Sequence, residues 1–286
     1  MIFVHGELAM MNAPMNASRM GIIRAIACVP LGAALLPSPI QAQTWPSKPV
    51  RWIVPFSPGG GVDVTTRTIA QRLSGALGQQ LIVDNRGGAN GNIGIELATK
   101  APPDGHTLVM ATTGNITINP HIYSKLAFDP LRDLTPVTPA VDVINVLVVH
   151  PSLPVKSVKE LIAYAKTNPN KLSYGSSGAG SLQHVGMELL NQTAGGVKML
   201  HVPYKGAAQI VMAMLANEVQ VGMNSLFSVR PQVQAGRLRW LAMTADKRSP
   251  VVDLPTVAEA ALPGFEMVQW YGIATPAKVR KPVVTA

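Results

Sequence analysis

Short apolar runs alternate with helical patterns along the chain. Residues 50–54 form an apolar, β-rich run that stops at Pro55 and predicts a strand. Apolar residues then recur every fourth position between Asp63, a predicted N-cap, and Gly78, a predicted C-terminal stop. The chain therefore begins a strand–loop–helix unit near residue 50.

The same rhythm continues to residue 274. Further strands are predicted at 81–83, 108–111, 143–149, 172–175, 198–202, 219–223, 238–244 and 270–274, and helices at 157–167, 181–193 and 206–217. The alternation predicts an α/β fold with mostly parallel strand pairing. Stretches rich in proline and polar residues at 128–139 and 248–264 are expected to carry the chain between two lobes, the first of 43–143 plus 245–286 and the second of 144–244.

The N-terminal segment has the pattern of a secretory signal peptide. Two arginines flank the start of an apolar run at 25–36, and small residues follow to Ala42, where we expect cleavage and release into the periplasm. The run is shorter than the roughly 20 residues that span a bilayer, so a retained anchor helix is the weaker alternative. Residues 1–18 resemble an over-long start, with Met15 or Met20 as alternative initiators.

Composition and charge exclude several functions for the mature chain. The single cysteine, Cys28, lies inside the predicted signal peptide, which leaves no thiol for a disulfide, a nucleophile or a metal. Without residues 1–42 the chain has 22 basic and 14 acidic residues, a net charge of +8. These charges are scattered singly, which disfavours nucleic-acid binding and suits the steering of small anions. No metal-ligand spacing occurs, and no cofactor is predicted.

The loop at residues 55–63, between the first strand and first helix, is the most informative segment. Its consecutive Gly59, Gly60 and Gly61 let backbone N–H groups approach a ligand, and the helix N-terminus adds positive potential. A Walker A loop would need Gly-Lys-Ser/Thr after the glycines, and a dinucleotide fingerprint would need glycine at Val64. The loop therefore favours a small anion, with a tight turn that binds nothing as the alternative.

A second glycine- and serine-rich loop, residues 175–181, joins a strand to a helix in the second lobe, and we expect it to face the first loop as a clamp. A serine hydrolase using Ser177 or Ser181 is an alternative function. The Gly-x-Ser-x-Gly pattern around Ser177 fails at Ala179, and His184 follows Ser181 on one helix face. Polar turns after other strands, at 90–92 and 112–115, are candidate ligand contacts or self-satisfied turns.

Motifs spread over most of the mature chain resemble one family. They are Trp45-Pro46, Pro55-Phe56, Pro58-Gly59-Gly60-Gly61 with Asp63, Asn85-Arg86-Gly88, Gly91-Asn92-Ile93-Gly94, Pro103-Asp104-Gly105, Asn119-Pro120, Tyr174-Gly175-Ser176, His201-Val202-Pro203-Tyr204-Lys205-Gly206, Pro255-Thr256-Val257-Ala258-Glu259 and Trp270-Tyr271-Gly272. In this order they resemble the tripartite tricarboxylate transporter substrate-binding proteins, also called Bug receptors.

The resemblance implies a two-lobed type II periplasmic binding protein, or Venus flytrap, that binds a small organic acid and performs no chemistry. It implies delivery to membrane permease subunits, or signalling to a sensor kinase, and a monomer. Relatives bind dicarboxylates, tricarboxylates, amino acids and aromatic acids, so the ligand stays open. The implied ligand-binding residues are Phe56, Pro58, Gly59, Gly60, Gly61, Asp63, Asn90, Asn92, Thr112, Thr113, Asn115, Ser176, Ser177, Gly180, Ser181, His184, Tyr204 and Asn224.

The sequence departs from the family at its C-terminus. Relatives continue for several tens of residues beyond the segment at 270–276, with amphipathic helices on the first lobe, whereas this chain stops at Ala286. We expect uncovered apolar surface there, at about 25 cal/mol for each Å² of lost burial. A degenerate paralogue that binds nothing is a further alternative.

Overall fold

The structure is a computed structural model that describes residues 45–286. The predicted signal peptide at 1–42, with its alternative starts, lies outside the described residues. Two five-stranded sheets, each with helices on both faces, make up the two lobes. In the part of the chain that is described, no helix is long and apolar enough to cross a membrane.

The first sheet has the order β2-β1-β3-β10-β4. Its strands are β1 (Val50–Val54), β2 (Leu81–Asn85), β3 (Thr107–Thr112), β4 (Leu134–Val143) and β10 (Gln269–Pro276), and its long helices are α1 (Gly61–Leu77) and α2 (Asn92–Thr99). Successive side chains of β1 point to opposite faces, so Trp52 packs in the core beneath α1 while Ile53 packs against Ile95 of α2. Both faces of β1 are therefore buried.

The second sheet has the order β7-β6-β8-β5-β9. Its strands are β5 (Asn145–Val149), β6 (Ser173–Ser176), β7 (Leu200–Pro203), β8 (Val221–Ser225) and β9 (Arg239–Met243), and its helices are α5 (Val158–Thr167), α6 (Leu182–Thr193), α7 (Ala207–Leu215) and α8 (Leu226–Gln234). Leu147 of β5 lies in the core with α5 and α6, whereas Val146 lies in the core with α7 and α8. This lobe is again a three-layer unit.

Short elements complete the described chain. They are a 3₁₀ turn (Ala89–Gly91), a π turn (Gly114–Ile118), α3 (Asn119–Ile122), α4 (Pro130–Asp133), α9 (Val257–Ala260) and α10 (Lys281–Val284). The 3₁₀ turn and the π turn each follow a strand of the first sheet.

Strand pairing differs from the prediction. Four neighbouring pairs are parallel, but β10 runs antiparallel to β3 and β4, and β5 runs antiparallel to β8 and β9. The predicted strand at 143–149 is two strands that meet at Ile144, where the chain passes from one sheet to the other. The strand that follows each crossing, β5 in the second sheet and β10 in the first, therefore runs opposite to the other four strands of its sheet.

The segment at 245–267 also differs from the expected division into lobes. Its residues Val257, Leu262, Phe265 and Met267 lie in the same core cluster as Leu147 of the second sheet. The chain thus returns to the first sheet only at β10, rather than near residue 245. The boundary between the lobes follows from where these apolar residues are buried. The sequence does not show in which lobe an apolar residue will pack.

An open apolar groove of about 510 Å³ runs beside α1. Val64 and Ile69 of α1, Val141 and Val143 of β4, and Phe227 of α8 line it among other residues. Both lobes line this groove, and a second apolar groove, of about 740 Å³, lies on the first lobe beside β4 and β10.

Candidate functional site

A small cavity of about 30 Å³ lies between the two lobes. Its lining residues are Phe56, Gly60, Gly61 and Val62 of the first lobe, Ser177, Gln183 and Ala207 of the second, and Gln269 and Tyr271 of β10. This volume is about what one water molecule occupies in the liquid. The lobes are therefore drawn together around the site.

Three helix N-termini meet at this cavity. Gly61 is the first residue of α1, Gln183 the second of α6, and Ala207 the first of α7. The first turn of a helix has unpaired N–H groups and the positive end of the helix dipole. Because the nine lining residues include no charged side chain, the backbone supplies the positive potential. Such an arrangement suits a carboxylate or another small anion.

Neutral polar side chains complete the lining. The Ser177 hydroxyl donates to Gln183 Oε1 at 2.9 Å. Burial raises the pKa of Tyr271, so its hydroxyl stays protonated and able to donate. Gln269 Oε1 accepts from Asn145 Nδ2 at 3.0 Å, where both chain crossings pass. The cavity therefore offers donors in fixed positions without a counter-ion.

Asp63 lies in the first turn of α1 and is not its N-cap, which is Gly60. The Asp63 carboxylate accepts from the Gly59 N–H at 2.9 Å, from Asn85 Nδ2 at 2.9 Å and from Arg67 Nε at 3.1 Å. Burial raises the pKa of this carboxyl, but the hydrogen bonds and the Arg67 charge outweigh burial and lower it. Asp63 is therefore ionised, and the Arg67 charge balances its negative charge. Its side chain does not line the cavity but holds the glycine loop in shape.

The glycine loop lies against the second lobe. A Cβ atom on Gly60 would lie 3.7 Å from the Ala207 Cβ, and one on Gly61 would lie 2.8 Å from the Ser225 Oγ. Pro58 and Gly59 are exposed. A side chain at Gly61 would thus require the Ser225 hydroxyl to move, and Pro58 is not among the lining residues.

Asn90 and Asn92, predicted as ligand contacts, are buried in a network around Asn119. Asn90 Nδ2 donates to Asn119 Oδ1 at 2.7 Å, and Asn119 Nδ2 donates to Asn92 Oδ1 at 2.5 Å. Asn90 adopts a left-handed backbone conformation, with φ of 51°. The two side chains hold the turn after β2, and neither lines the cavity.

The other predicted polar residues of the sheet ends, Thr112, Thr113, Asn115 and Asn224, are only partly hydrogen-bonded within the protein. The Asn115 side chain accepts from the Thr112 N–H at 2.9 Å, and Thr113 Oγ1 accepts from the Trp270 N–H at 3.0 Å. Asn224 is fully buried, and its Nδ2 lies 3.7 Å from Met214 Sδ. Asn115 Nδ2 and Asn224 Oδ1 are buried without a hydrogen-bond partner. None of the four residues lines the cavity.

A histidine stack supports the second-lobe loop. The rings of His184 and His201 stack with centroids 4.1 Å apart, and His184 Nδ1 accepts from the Gly180 N–H at 3.2 Å. Burial lowers the pKa of His201, the neighbouring His184 lowers it further, and Glu188 raises it in part. Tyr204 packs beside the core of α7 and α8. His184, Gly180 and Tyr204 therefore shape the loop from outside the cavity lining.

Neither Ser177 nor Ser181, the serines of the hydrolase alternative, bonds a histidine ring. Ser181 Oγ accepts from the His184 backbone N–H at 3.2 Å as the N-cap of α6, and Ser177 bonds Gln183. Ser176 Oγ lies 2.5 Å from His201 Nε2, but Ser176 is fully buried. Among the described residues, no group of three or more His, Cys, Asp or Glu is placed to hold a metal ion.

Comparison with known proteins identifies the family. The family described as tripartite tricarboxylate transporter family receptor matches residues 65–286. The chain belongs to this family. Protein BugT of Bordetella pertussis is 33% identical over 264 residues, which cover 92% of this chain and 80% of BugT. The predicted resemblance to the Bug receptors is thereby confirmed.

Solved structures confirm the two-lobed α/β fold of the receptor. The R. palustris protein Rpa4515, determined with adipate, has a TM-score of 0.82 and 40% identity, covering 84% of this chain and 81% of that one. MatC (Rpa3494) from Rhodopseudomonas palustris, determined with bound malate, has a TM-score of 0.80 and 30% identity, covering 84% and 82%. Both bound molecules are dicarboxylates.

Four residues of the receptor that the sequence analysis had placed at the site line the cavity, namely Phe56, Gly60, Gly61 and Ser177. Five lining residues were missed: Val62, Gln183, Ala207, Gln269 and Tyr271. Gln183 and Ala207 lie at the starts of predicted helices, directly after predicted loops. Their position after these loops could have identified them as cavity residues. Gln269 and Tyr271 come from the last strand, where no loop pattern marks them.

Proposed function

We propose that the chain is an exported receptor that captures a small carboxylate between its lobes and delivers it to a tripartite tricarboxylate-type membrane permease, without chemical change. The observation that carries the proposal is the convergence of the N-termini of α1, α6 and α7 on an interlobe cavity that no charged side chain lines. Family membership supports the transport role.

The ligand that we propose for this site is a dicarboxylate. Backbone N–H groups at the start of α1 and α7 would bind one carboxylate. The Gln183 amide N–H, held in place by Ser177, and the Tyr271 hydroxyl would bind the other end. The adipate and malate of the two neighbours have this form. Small-molecule pockets usually measure roughly 300–1,000 Å³, which is far larger than the interlobe cavity. The lobes must therefore separate to admit the ligand.

The binding test is a calorimetric titration of the purified protein with adipate, malate and succinate. We expect at least one to bind in the micromolar range or tighter. The variant Gly60→Leu should abolish binding without unfolding the protein, because atoms beyond its Cβ would meet Ala207 when the lobes close. Gly75→Leu is the matched control, since a Cβ on Gly75 of the same helix would have no neighbour within 4 Å.

Two results would contradict the proposal. One is a folded protein that binds none of a broad panel of carboxylates. The other is a Gly60→Leu variant that binds as tightly as the parent. Export is tested separately by fractionating cells that express the full chain, and we expect periplasmic protein whose first residue is Gln43.

A further inference from the structure

A tyrosine hydroxyl joins the two lobes outside the cavity. Tyr123 follows α3 in the connection between β3 and β4 of the first sheet, and its hydroxyl donates to the Ala179 carbonyl at 2.8 Å. Ala179 lies between β6 and α6 of the second sheet. Burial raises the pKa of Tyr123, so the hydroxyl is protonated at neutral pH. The hydrogen bond therefore crosses from lobe to lobe.

The loop around Ala179 fits closely against the first lobe. Gly178 and Gly180 have φ of 123° and 79°, in the left-handed region that favours glycine. A Cβ on Gly178 would lie 3.1 Å from the Asn90 N, and one on Gly180 would lie 3.4 Å from both Asn119 Oδ1 and Tyr123 Cε2. The asparagine network thus forms the first-lobe surface on which the loop rests.

These contacts lie outside the cavity, but the loop that makes them also carries a residue of the cavity lining. None of Tyr123, Asn90, Asn119 or Ala179 lines the cavity, whereas Ser177, two residues before Ala179, does. The Gly180 N–H donates to His184 Nδ1, which ties the same loop to α6. The Tyr123 contact therefore holds the loop that carries a cavity residue, and it lies outside the cavity lining.

We propose that Tyr123 is a positioning residue that latches the lobes shut and slows ligand release. The latch stabilises the closed state whether or not a ligand is present, because its partners belong to the protein alone. In the open state the hydroxyl bonds water, so the net gain is that of one neutral hydrogen bond, a factor of about two to ten. The effect on ligand release rests on the proposed binding function, whereas the effect on closure does not.

The first test measures lobe closure without ligand. Spin labels are placed at Arg72→Cys on α1 and Gln192→Cys on α6, both exposed positions, in the full chain carrying Cys28→Ser. Pulsed electron resonance then gives the distance distribution between the lobes. We expect Tyr123→Phe to shift population toward longer distances and Tyr164→Phe, which removes a hydroxyl from α5, to leave it unchanged. An unchanged distribution in Tyr123→Phe overturns the latch.

The second test uses adipate in stopped-flow kinetics. We expect Tyr123→Phe to raise the dissociation rate about two- to tenfold with an association rate within twofold of the parent. A lower melting temperature with unchanged distances and unchanged dissociation would show a merely structural role and would also overturn the proposal. If no carboxylate binds the parent, the binding function fails, while the distance measurement still decides the latch.

Discussion

Asp63 shows how an acidic side chain can stand beside an anion site. Its carboxylate faces Gly59, Arg67 and Asn85, and all three donate to it. Because Arg67 lies one helical turn away, the charge is compensated locally and does not oppose a ligand at the start of α1. The residue type had suggested the N-cap of the first helix. Only the structure shows from which donors its carboxylate accepts hydrogen bonds.

The first prediction concerns the variant Asp63→Asn. The folded pKa of Asp63 is lowered, so its contribution to stability is present above the ordinary value of 3.8 and is lost as the pH falls through the folded pKa. We expect the variant to be less stable at pH 7 by about 1–3 kcal/mol. We also expect it to lose less stability than the parent below pH 4.

Urea denaturation between pH 3 and 7 measures both effects. The exposed Asp253→Asn variant is the matched control and should follow the parent. Equal stability of Asp63→Asn and the parent at pH 7 would show that the hydrogen bonds to Gly59 and Arg67 contribute nothing net.

Element by element, local patterns predict the strands of the receptor better than its irregular helices. β4 was assigned to a crossing region because it contains Pro136 and Pro139, yet it is the edge strand of its sheet, where proline is tolerated. α8 was missed because Pro231 lies inside it. The loops that begin α1 and α6 were predicted because glycine and serine mark strand-to-helix connections directly.

The second prediction separates two serines of the loop before α6. Ser181 caps α6, so Ser181→Ala should lower stability by about 0.5–2 kcal/mol and leave adipate affinity nearly unchanged. Ser177 lines the cavity, so Ser177→Ala should weaken adipate binding about three- to tenfold with a smaller loss of stability. Thermal melts and calorimetry on both variants provide the comparison. The opposite pattern would place the ligand contact at Ser181, which the sequence analysis had named together with Ser177.

At the scale of the whole molecule, the site depends on which elements meet across the lobes. The two-lobed fold was predictable from the resemblance, and part of the first-lobe loop was predictable from its glycines. Gln269 and Tyr271 reach the cavity because β10 returns to the first sheet beside β3, more than 150 residues along the chain. No local pattern encodes that return, and neither does the packing of residues 245–267 on the second lobe.

The third prediction tests whether the ligand enters only when the lobes separate. A Cβ on Gly206 would lie 3.3 Å from the Ser57 Cβ, and Gly206 has an extended φ of 166° that any residue adopts. Disulfides prefer a Cβ–Cβ distance of about 3.5–4.5 Å, so a shift of a few tenths of an ångström would allow the pair Ser57→Cys and Gly206→Cys to bond. Ser57 belongs to the first lobe and Gly206 to the second.

In a Cys28→Ser background, the oxidised pair should keep the lobes together and leave a free dicarboxylate no path into the cavity. We therefore expect calorimetry to detect no adipate binding to the oxidised protein and restored binding after reduction, with either single-cysteine variant binding in both conditions. Rapid binding to the fully oxidised protein would mean that the ligand reaches its site by a route that needs no separation of the lobes. The proposed site between α1, α6 and α7 would then be wrong, because closure of these three helix N-termini is what confines the ligand.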